Sequence, residues 1–397
     1  MTKFLKCFFI SIFIFFLNFT FVNAEEIDVS SKNVILYNLK DDNVIYEKNP
    51  DDKVYIASLT KIMTAIVAVE NIENLDEKIL ITGDMIDSLA NDLSVAGFEA
   101  GEVVTYRDLL YGTLLKSGAD ATNILAISIS GSVNEFVKLM NQKAEDLGMK
   151  NSHFENTIGI EGNSHYSSAS DVASLLKYAI KNETFLEVFS SKKYTSTNKK
   201  HDMSGPLKYI TDKDGVNFEY IKGAKTGYTS KAGLCLASIA VYNDIDYLLV
   251  TIGADYENRT QHIEDSKKIY EYFFNNYEYK KIISKGDSIV KLNTIYGKEY
   301  EITSGEDYES YLNKNIKTKD LIYEYKGINT LDKNIRKNDK IGNFYIKYND
   351  EVLYVKSIIS PVTVKFDLVF FLKQNIVLVS LLGILILLTF VIRIKKR

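Results

Sequence analysis

The period of apolar and polar positions changes several times along the chain, and each change predicts an element. Long apolar runs lie at both ends. Phe8 to Phe21 is broken only by Ser11, Asn18 and Thr20, follows Lys3 and Lys6, and leads into Val22-Asn23-Ala24. A basic start, an apolar centre and small residues at the cut site predict an export signal over residues 1–24, with an uncleaved anchor helix as the alternative. Ile376 to Ile392 carries no charge and is followed by Arg393, Lys395, Lys396 and Arg397. As a helix this run spans about 25 Å, short of a bilayer core of roughly 30 Å. Phe370, Phe371 and Leu372 extend it, with Lys373 snorkelling to the interface. A transmembrane anchor is expected over residues 375–393, with a basic cytoplasmic tail at 394–397. A helix lying in the interface is the alternative.

Between the ends, Val34–Tyr37 and Val44–Tyr46 flank Lys40-Asp41-Asp42-Asn43, which predicts a hairpin. Leu59, Ile62, Ile66 and Val69 recur at helical spacing, and Met63, Ala65 and Val67 leave few polar faces, so a buried helix should start near Ser58. Further helices are expected at Tyr106–Lys116, Ala121–Ser130, Val133–Leu147 and Asp171–Lys181. Ser168 with Asp171 resembles a capping box at the start of the last. Phe218–Gly227, Gly233–Val241 and Tyr247–Gly253 read as strands, with a turn at Asn243-Asp244, and Arg259–Phe274 reads as a closing helix. Hairpin and triplet together predict an antiparallel sheet of about five strands with helices packed on it. From Lys280 to Pro361 short β-type runs alternate with glycines, and Asn349-Asp350 joins a hairpin. The expected organisation is an α+β domain over 25–277, a small all-β domain over 278–362, and the anchor.

Composition narrows the function little. The 397 residues hold 48 Lys+Arg against 52 Asp+Glu, a net charge of -4, which gives no support to nucleic-acid binding. There are 2 Cys, and loss of the leader removes Cys7, so no intramolecular disulfide is expected. His153, His165, His201 and His262 match no zinc-peptidase spacing.

Three short motifs carry the chemistry. In Ser58-Leu59-Thr60-Lys61 the first and last residues share a helix face. Serine is a weak nucleophile until a base takes its proton, and an amine serves only if burial or a nearby cation lowers its pKa. Lys225-Thr226-Gly227 sits at the edge of the predicted sheet. Gly223 and Gly227 let a substrate backbone approach, Lys225 and Thr226 suit a carboxylate, and Lys225 supplies a cation beside Lys61. The backbone N–H groups of Ser58 and Tyr228 suit an oxyanion. Ser117-Gly118-Ala119 lies between two helices, where Ser117 is either a proton shuttle or a helix cap.

In this order, the motifs resemble the serine penicillin-binding protein and β-lactamase superfamily. The surroundings Tyr55–Ala65, Asp108–Gly112, and His165–Ala169 with Asp171 resemble its low-molecular-mass D-alanyl-D-alanine carboxypeptidases. The resemblance covers about Val34 to Phe274, and a β-domain followed by an anchor matches the family layout. It implies a penicillin-binding catalytic fold in which Ser58 attacks the bond between two terminal D-alanines of peptidoglycan, with Lys61 as base. Ser117 is then the proton shuttle, Lys225, Thr226 and Gly227 bind substrate, and Tyr228 is a backbone oxyanion donor. β-Lactams are implied as inhibitors, and no metal or organic cofactor. One position departs: the family's second motif usually ends in Asn, and here it is Ala119. The competing readings are a DD-endopeptidase or transpeptidase with the same site, a β-lactamase, and a non-catalytic β-lactam-sensing or wall-binding module.

Overall fold

The computed structural model describes residues 27–86, 93–212 and 215–395. The export signal expected at 1–24 and the last two residues of the basic tail lie outside these. The described chain divides into two compact units between Phe274 and Asn275.

In the first unit, β1 (Asn33–Asn38) and β2 (Asn43–Lys48) form the hairpin, and α1 (Thr60–Asn71) follows a 3-10 turn at Ala57–Leu59. The short ladder β3 (Lys78–Leu80) with β4 (Val103–Thr105) leads to α2 (Tyr106–Leu115), α3 (Ala119–Ser130) and α4 (Val133–Asp146). Then come α5 (Ala169–Ala179), α6 (Glu183–Phe189), the ladder β5 (Lys193–Thr195) with β6 (Asp202–Ser204), and α7 (Pro206–Thr211). β7 (Ile221–Thr229), β8 (Gly233–Tyr242), β9 (Ile245–Ala254) and α8 (Gln261–Asn276) close the unit.

The five long strands make one antiparallel sheet in the order β2-β1-β9-β8-β7. Asn243 and Asp244 at φ 51° and 59° give the tight β8–β9 turn. Side chains alternate across β9. Leu248, Val250 and Ile252 face the main helical core, while the Thr251 hydroxyl meets Ser266 on α8 at 3.3 Å. Both faces are covered, which is why these strands read as nearly continuous apolar runs. α1 is the hub of the helical side: every residue from Thr60 to Ala68 is buried.

Element starts differ from the sequence expectation for local reasons. α3 begins at Ala119 because Gly118 adopts the extended N-cap conformation. α5 begins at Ala169 because Ser168 caps it, accepting from Asp171 N. Only half of that capping box forms, since the Asp171 carboxylate instead accepts from Asn151 N at 2.8 Å and Ser152 Oγ at 2.7 Å. The full box sits on α2, where Thr105 and Asp108 cap one another. α6, at seven residues, is too short to show a period.

The second unit is all-β apart from its end. Its strands are β10 (Tyr277–Ile283), β11 (Ser288–Thr294), β12 (Glu299–Thr303), β13 (Tyr308–Asn313), β14 (Ile322–Gly327), β15 (Thr330–Leu331), β16 (Lys340–Tyr348) and β17 (Glu351–Ile359). Leu292, Leu331, Phe344 and Ile346 sit in their shared core, and Asn349 and Asp350 at φ 47° and 68° turn β16 into β17 as expected. α9 (Leu368–Gln374) stops at Asn375, and α10 (Ile376–Lys395) follows with mean hydropathy 2.8 and none of its apolar window buried.

Candidate active site

The site is assembled from the start of α1, the α2–α3 corner, the 156–165 loop and the sheet edge at β7. Ser58 sits in the 3-10 turn, one residue after Ala57, whose φ is 46°. One turn along, Lys61 is 3% exposed. Its Nζ lies 3.2 Å from Ser58 Oγ and donates to the Ile158 carbonyl at 2.6 Å. Burial holds the Lys61 amine well below the ordinary lysine range, the Lys225 cation pushes the same way, and Asp120 opposes both.

Lys225 is fully buried on β7, the outermost strand on its side of the sheet. Its Nζ donates to Ser117 Oγ at 3.0 Å and to the Thr226 carbonyl at 2.7 Å. Burial pushes the Lys225 amine down to about 7. Thr226 is half-buried. Gly227 passes so close to the serine turn that a Cβ on it would lie 2.8 Å from Ser58 N and 3.1 Å from the Ala57 Cβ. The Tyr228 ring points outward and stacks on Tyr256 at 4.1 Å, so Tyr228 has only its backbone to offer the site. The three sequence motifs therefore converge.

Ser117 is not the α3 cap, since that position is Gly118; Ser117 has φ 55° and faces Lys225. Asp120, which sequence reasoning passed over, is 2% exposed and accepts from the N–H groups of Ala96, Gly97 and Phe98 at 2.7, 2.7 and 2.9 Å. It pins the 94–98 segment against the α2–α3 corner. At that corner a Cβ on Gly112 would lie 2.7 Å from the Ala121 Cβ, so α2 and α3 need glycine to pack this closely.

The 156–165 loop was the least legible part. Asn156 Oδ1 accepts from the N–H groups of Ile158, Gly159 and Ile160 at 3.2, 2.7 and 3.2 Å, shaping the turn that offers the Ile158 carbonyl to Lys61. Gly159 has φ +87°, and a Cβ on it would lie 2.0 Å from the Ala57 carbonyl oxygen. An Asn three residues before a Gly was the available signal for this turn. His165 is 2% exposed and has both nitrogens engaged. Nδ1 accepts from Glu155 N at 3.1 Å, so the neutral ring carries its proton on Nε2, 2.9 Å from Thr60 Oγ1. Burial pushes its pKa down to about 4, which fits a clamp and not a base. A β-lactamase would need a group to activate the deacylating water; of Glu155 and Glu161, which follow Ser117 in the chain, Glu161 is paired with Lys231 at 3.3 Å. Cys235 is buried in β8 with its thiol pushed up to about 12.

Comparison with known proteins follows the same division. Residues 20–256 match the family D-alanyl-D-alanine carboxypeptidase, and residues 277–366 match the family Penicillin-binding protein 5, C-terminal domain. The chain is similar to D-alanyl-D-alanine carboxypeptidase DacF of Bacillus subtilis, 30% identical over 354 residues that cover 87% of each protein. Among solved structures it resembles the carboxypeptidase DacD of Francisella tularensis at TM-score 0.70 and 24% identity, covering 86% of this chain and 95% of that one. It also resembles the Streptomyces K15 DD-transpeptidase at TM-score 0.56 and 28% identity, covering 62% of this chain and 97% of that one. With its motifs gathered into one site and its family match extending over more than half its length, the chain belongs to the D-alanyl-D-alanine carboxypeptidase family.

Proposed function

We propose that this D-alanyl-D-alanine carboxypeptidase removes the terminal D-alanine of peptidoglycan stem peptides through an ester formed on Ser58. The observation that carries the reading is the Ser58–Lys61 contact at 3.2 Å, with Lys61 buried beside a second buried lysine. A lysine in that setting loses its proton far more readily than in water, so a neutral amine is available as base.

In this reading Ser58 Oγ attacks the carbonyl carbon of the penultimate D-alanine while its proton passes to Lys61 Nζ. The developing oxyanion takes the N–H groups of Ser58 and Tyr228. Collapse of the tetrahedral adduct breaks the C–N bond, and the departing amine takes a proton through Ser117, whose hydroxyl is held by Lys225. Water then hydrolyses the ester and restores Ser58. Thr226 and the charge of Lys225 hold the substrate's terminal carboxylate, and Gly227 leaves the strand bare for the substrate backbone. β-Lactams acylate the same serine.

The test uses a D-Ala-D-Ala pentapeptide and a labelled penicillin. Wild type should release D-alanine and carry the label on Ser58, and Ser58→Ala should do neither; an adduct on another serine would sink the assignment. No D-alanine release with an intact adduct would favour the sensing module that Ala119 leaves open. The resemblance to the K15 DD-transpeptidase keeps amine transfer as a second reading, decided by whether an added amine captures the acyl group in competition with water.

For location, α10 has 20 residues, about 30 Å of helix; its uncharged part, Ile376–Ile392, supplies about 25 Å of a bilayer core of roughly 30 Å, with Arg393 and Lys395 reaching the interface. We read it as the anchor. An export signal at 1–24 and the basic residues after α10 support a reading with the catalytic unit outside the cell membrane and the tail in the cytoplasm.

A further inference from the structure

We propose that Asn123 is a positioning residue for Lys61, taking over from α3 the site-ordering role vacated where the family's Asn is replaced by Ala119. The inference rests on the assignment of Lys61 as the base. Ala119 is buried at the first turn of α3 and has no polar side-chain atom with which to order the site. Four residues on, Asn123 is displaced by about 6 Å along the axis and about 40° around it, so it lies on the same face one turn deeper.

Its neighbours on the helix set it apart. Ala121, Ile124, Leu125 and Ala126 are fully buried and apolar. The Thr122 hydroxyl returns to the helix's own backbone, donating to the Gly118 carbonyl at 2.6 Å. Asn123 reaches another element: its Oδ1 accepts from Thr157 Oγ1 at 2.9 Å. The Thr157 carbonyl accepts from Thr64 Oγ1 on α1 at 2.6 Å, and the next carbonyl, Ile158, accepts from Lys61 Nζ at 2.6 Å. Lys61 and Thr64 are three residues apart and share a face of α1.

A circuit therefore runs from α3 through Thr157-Ile158 to two successive turns of α1. Without Asn123, one strut between α3 and the 157–158 backbone is lost, and a fully buried hydroxyl loses its acceptor. The carbonyl that aims Lys61 at Ser58 is then held only by the Asn156 turn and the Thr64 hydrogen bond, which leaves it more room to move and water a path to the amine. The charged groups acting on Lys61 are Lys225 from β7 and Asp120 from α3. Neither belongs to the circuit, so their effects stay constant across variants of Asn123 and Thr157.

The experiment uses the full chain in detergent and two readouts. One is the pH dependence of Ser58 acylation by a fluorescent penicillin. The other is the rate at which an amine-specific reagent modifies Lys61 in the absence of penicillin. The variants are Asn123→Leu, Thr157→Val and their double, with Thr157→Ser as the control that keeps the hydroxyl. Each single variant should slow acylation by roughly tenfold or more and move its acid limb to higher pH. Each should also speed Lys61 modification when this is measured at a pH above every variant's limb, where the amine is neutral throughout and access alone sets the rate. The double should be no worse than either single, since both cut the same strut, and Thr157→Ser should behave as wild type. Ala119→Asn placed on Asn123→Leu should recover part of the rate by returning the amide to the family's position. Unchanged acylation limb and unchanged Lys61 modification in folded single variants would overturn the proposal, as would multiplicative losses in the double. A wild type with no Ser58 adduct would sink the assignment of Ser58, and Lys61 modification would still decide the circuit.

Discussion

Adding one methyl group at Gly227 should separate catalysis from folding. The Cβ of Gly227→Ala would stand 2.8 Å from Ser58 N and 3.1 Å from the Ala57 Cβ, where ordinary contact begins at 3.4 Å. Neither neighbour is a flexible side-chain tip. The backbone of Gly227 is not in the left-handed region, so alanine adds no conformational strain, and the contact is the whole perturbation. Relief requires β7 to move outward from the serine turn by several tenths of an ångström. Overpacking of this kind costs about 1–3 kcal/mol, a fall in Tm of roughly 2–4 °C per kcal/mol in a unit of this size. The same movement separates the N–H groups of Ser58 and Tyr228. Losing one oxyanion donor costs about 10²–10³ in rate. Gly227→Ala should therefore melt roughly 2–12 °C below wild type yet, while folded, acylate with labelled penicillin 100-fold or more slowly, with D-alanine release falling in parallel. A folded variant that acylates at the wild-type rate would refute the account of the oxyanion site.

Three further outcomes follow from charge and hydropathy. Lys225→Gln removes the cation that depresses Lys61, so the acid limb of the acylation rate should move to higher pH; a limb at the same or lower pH would contradict the coupling. With Lys225 at about 7 in the folded protein and near 10.4 when unfolded, unfolding takes up a proton between those values. Its contribution to stability should thus rise with pH across that window and be least below it, measurable as Tm against pH in wild type and Lys225→Gln. A chain ending before Phe366 lacks α10 and should appear in the soluble fraction, whereas the full chain should sediment with membranes and expose its β-unit to protease added outside intact cells; full protection there would reverse the orientation.

Much of the fold could be read from the sequence because its signals are local. The period-2 runs and the Asn243-Asp244 turn gave a hairpin close to its actual limits, Asn349-Asp350 gave the turn of a hairpin whose strands run longer than their apolar pattern, and the apolar α1 announced its burial. The motif residues came together because Ser58 and Lys61 open α1, Ser117 sits at the corner before α3, and Lys225 lies mid-strand on β7 at the sheet edge. The order of strands was not legible, since β1 pairs with β9 across more than 200 residues of chain and no local pattern encodes that. The 156–165 loop was missed for a related reason. Its contribution to the site is a backbone carbonyl, at Ile158, and a backbone carbonyl has no sequence signature. Asp120 and His165 hold loops through hydrogen bonds whose partners lie elsewhere in the sequence, so they read as ordinary polar residues until folded.

The geometry around Ser58 depends on strain that its neighbours must hold. Ala57 occupies φ 46° while 2% exposed, a conformation that costs an L-residue about 1–2 kcal/mol. Such a residue relaxes unless its surroundings over-determine it. Here two backbones close on the turn. Gly159 approaches the Ala57 carbonyl so tightly that any side chain is excluded, and Gly227 lies close enough to the Ser58 N–H that a Cβ fits only if β7 shifts. Lys61 ties the first of these segments to α1 through the Ile158 carbonyl, and Lys225 ties the second to Ser117. The two buried lysines are thus placed to do more than chemistry. Each anchors one wall of the cleft, so a substitution that relocates either amine disturbs the serine turn as well as the proton path.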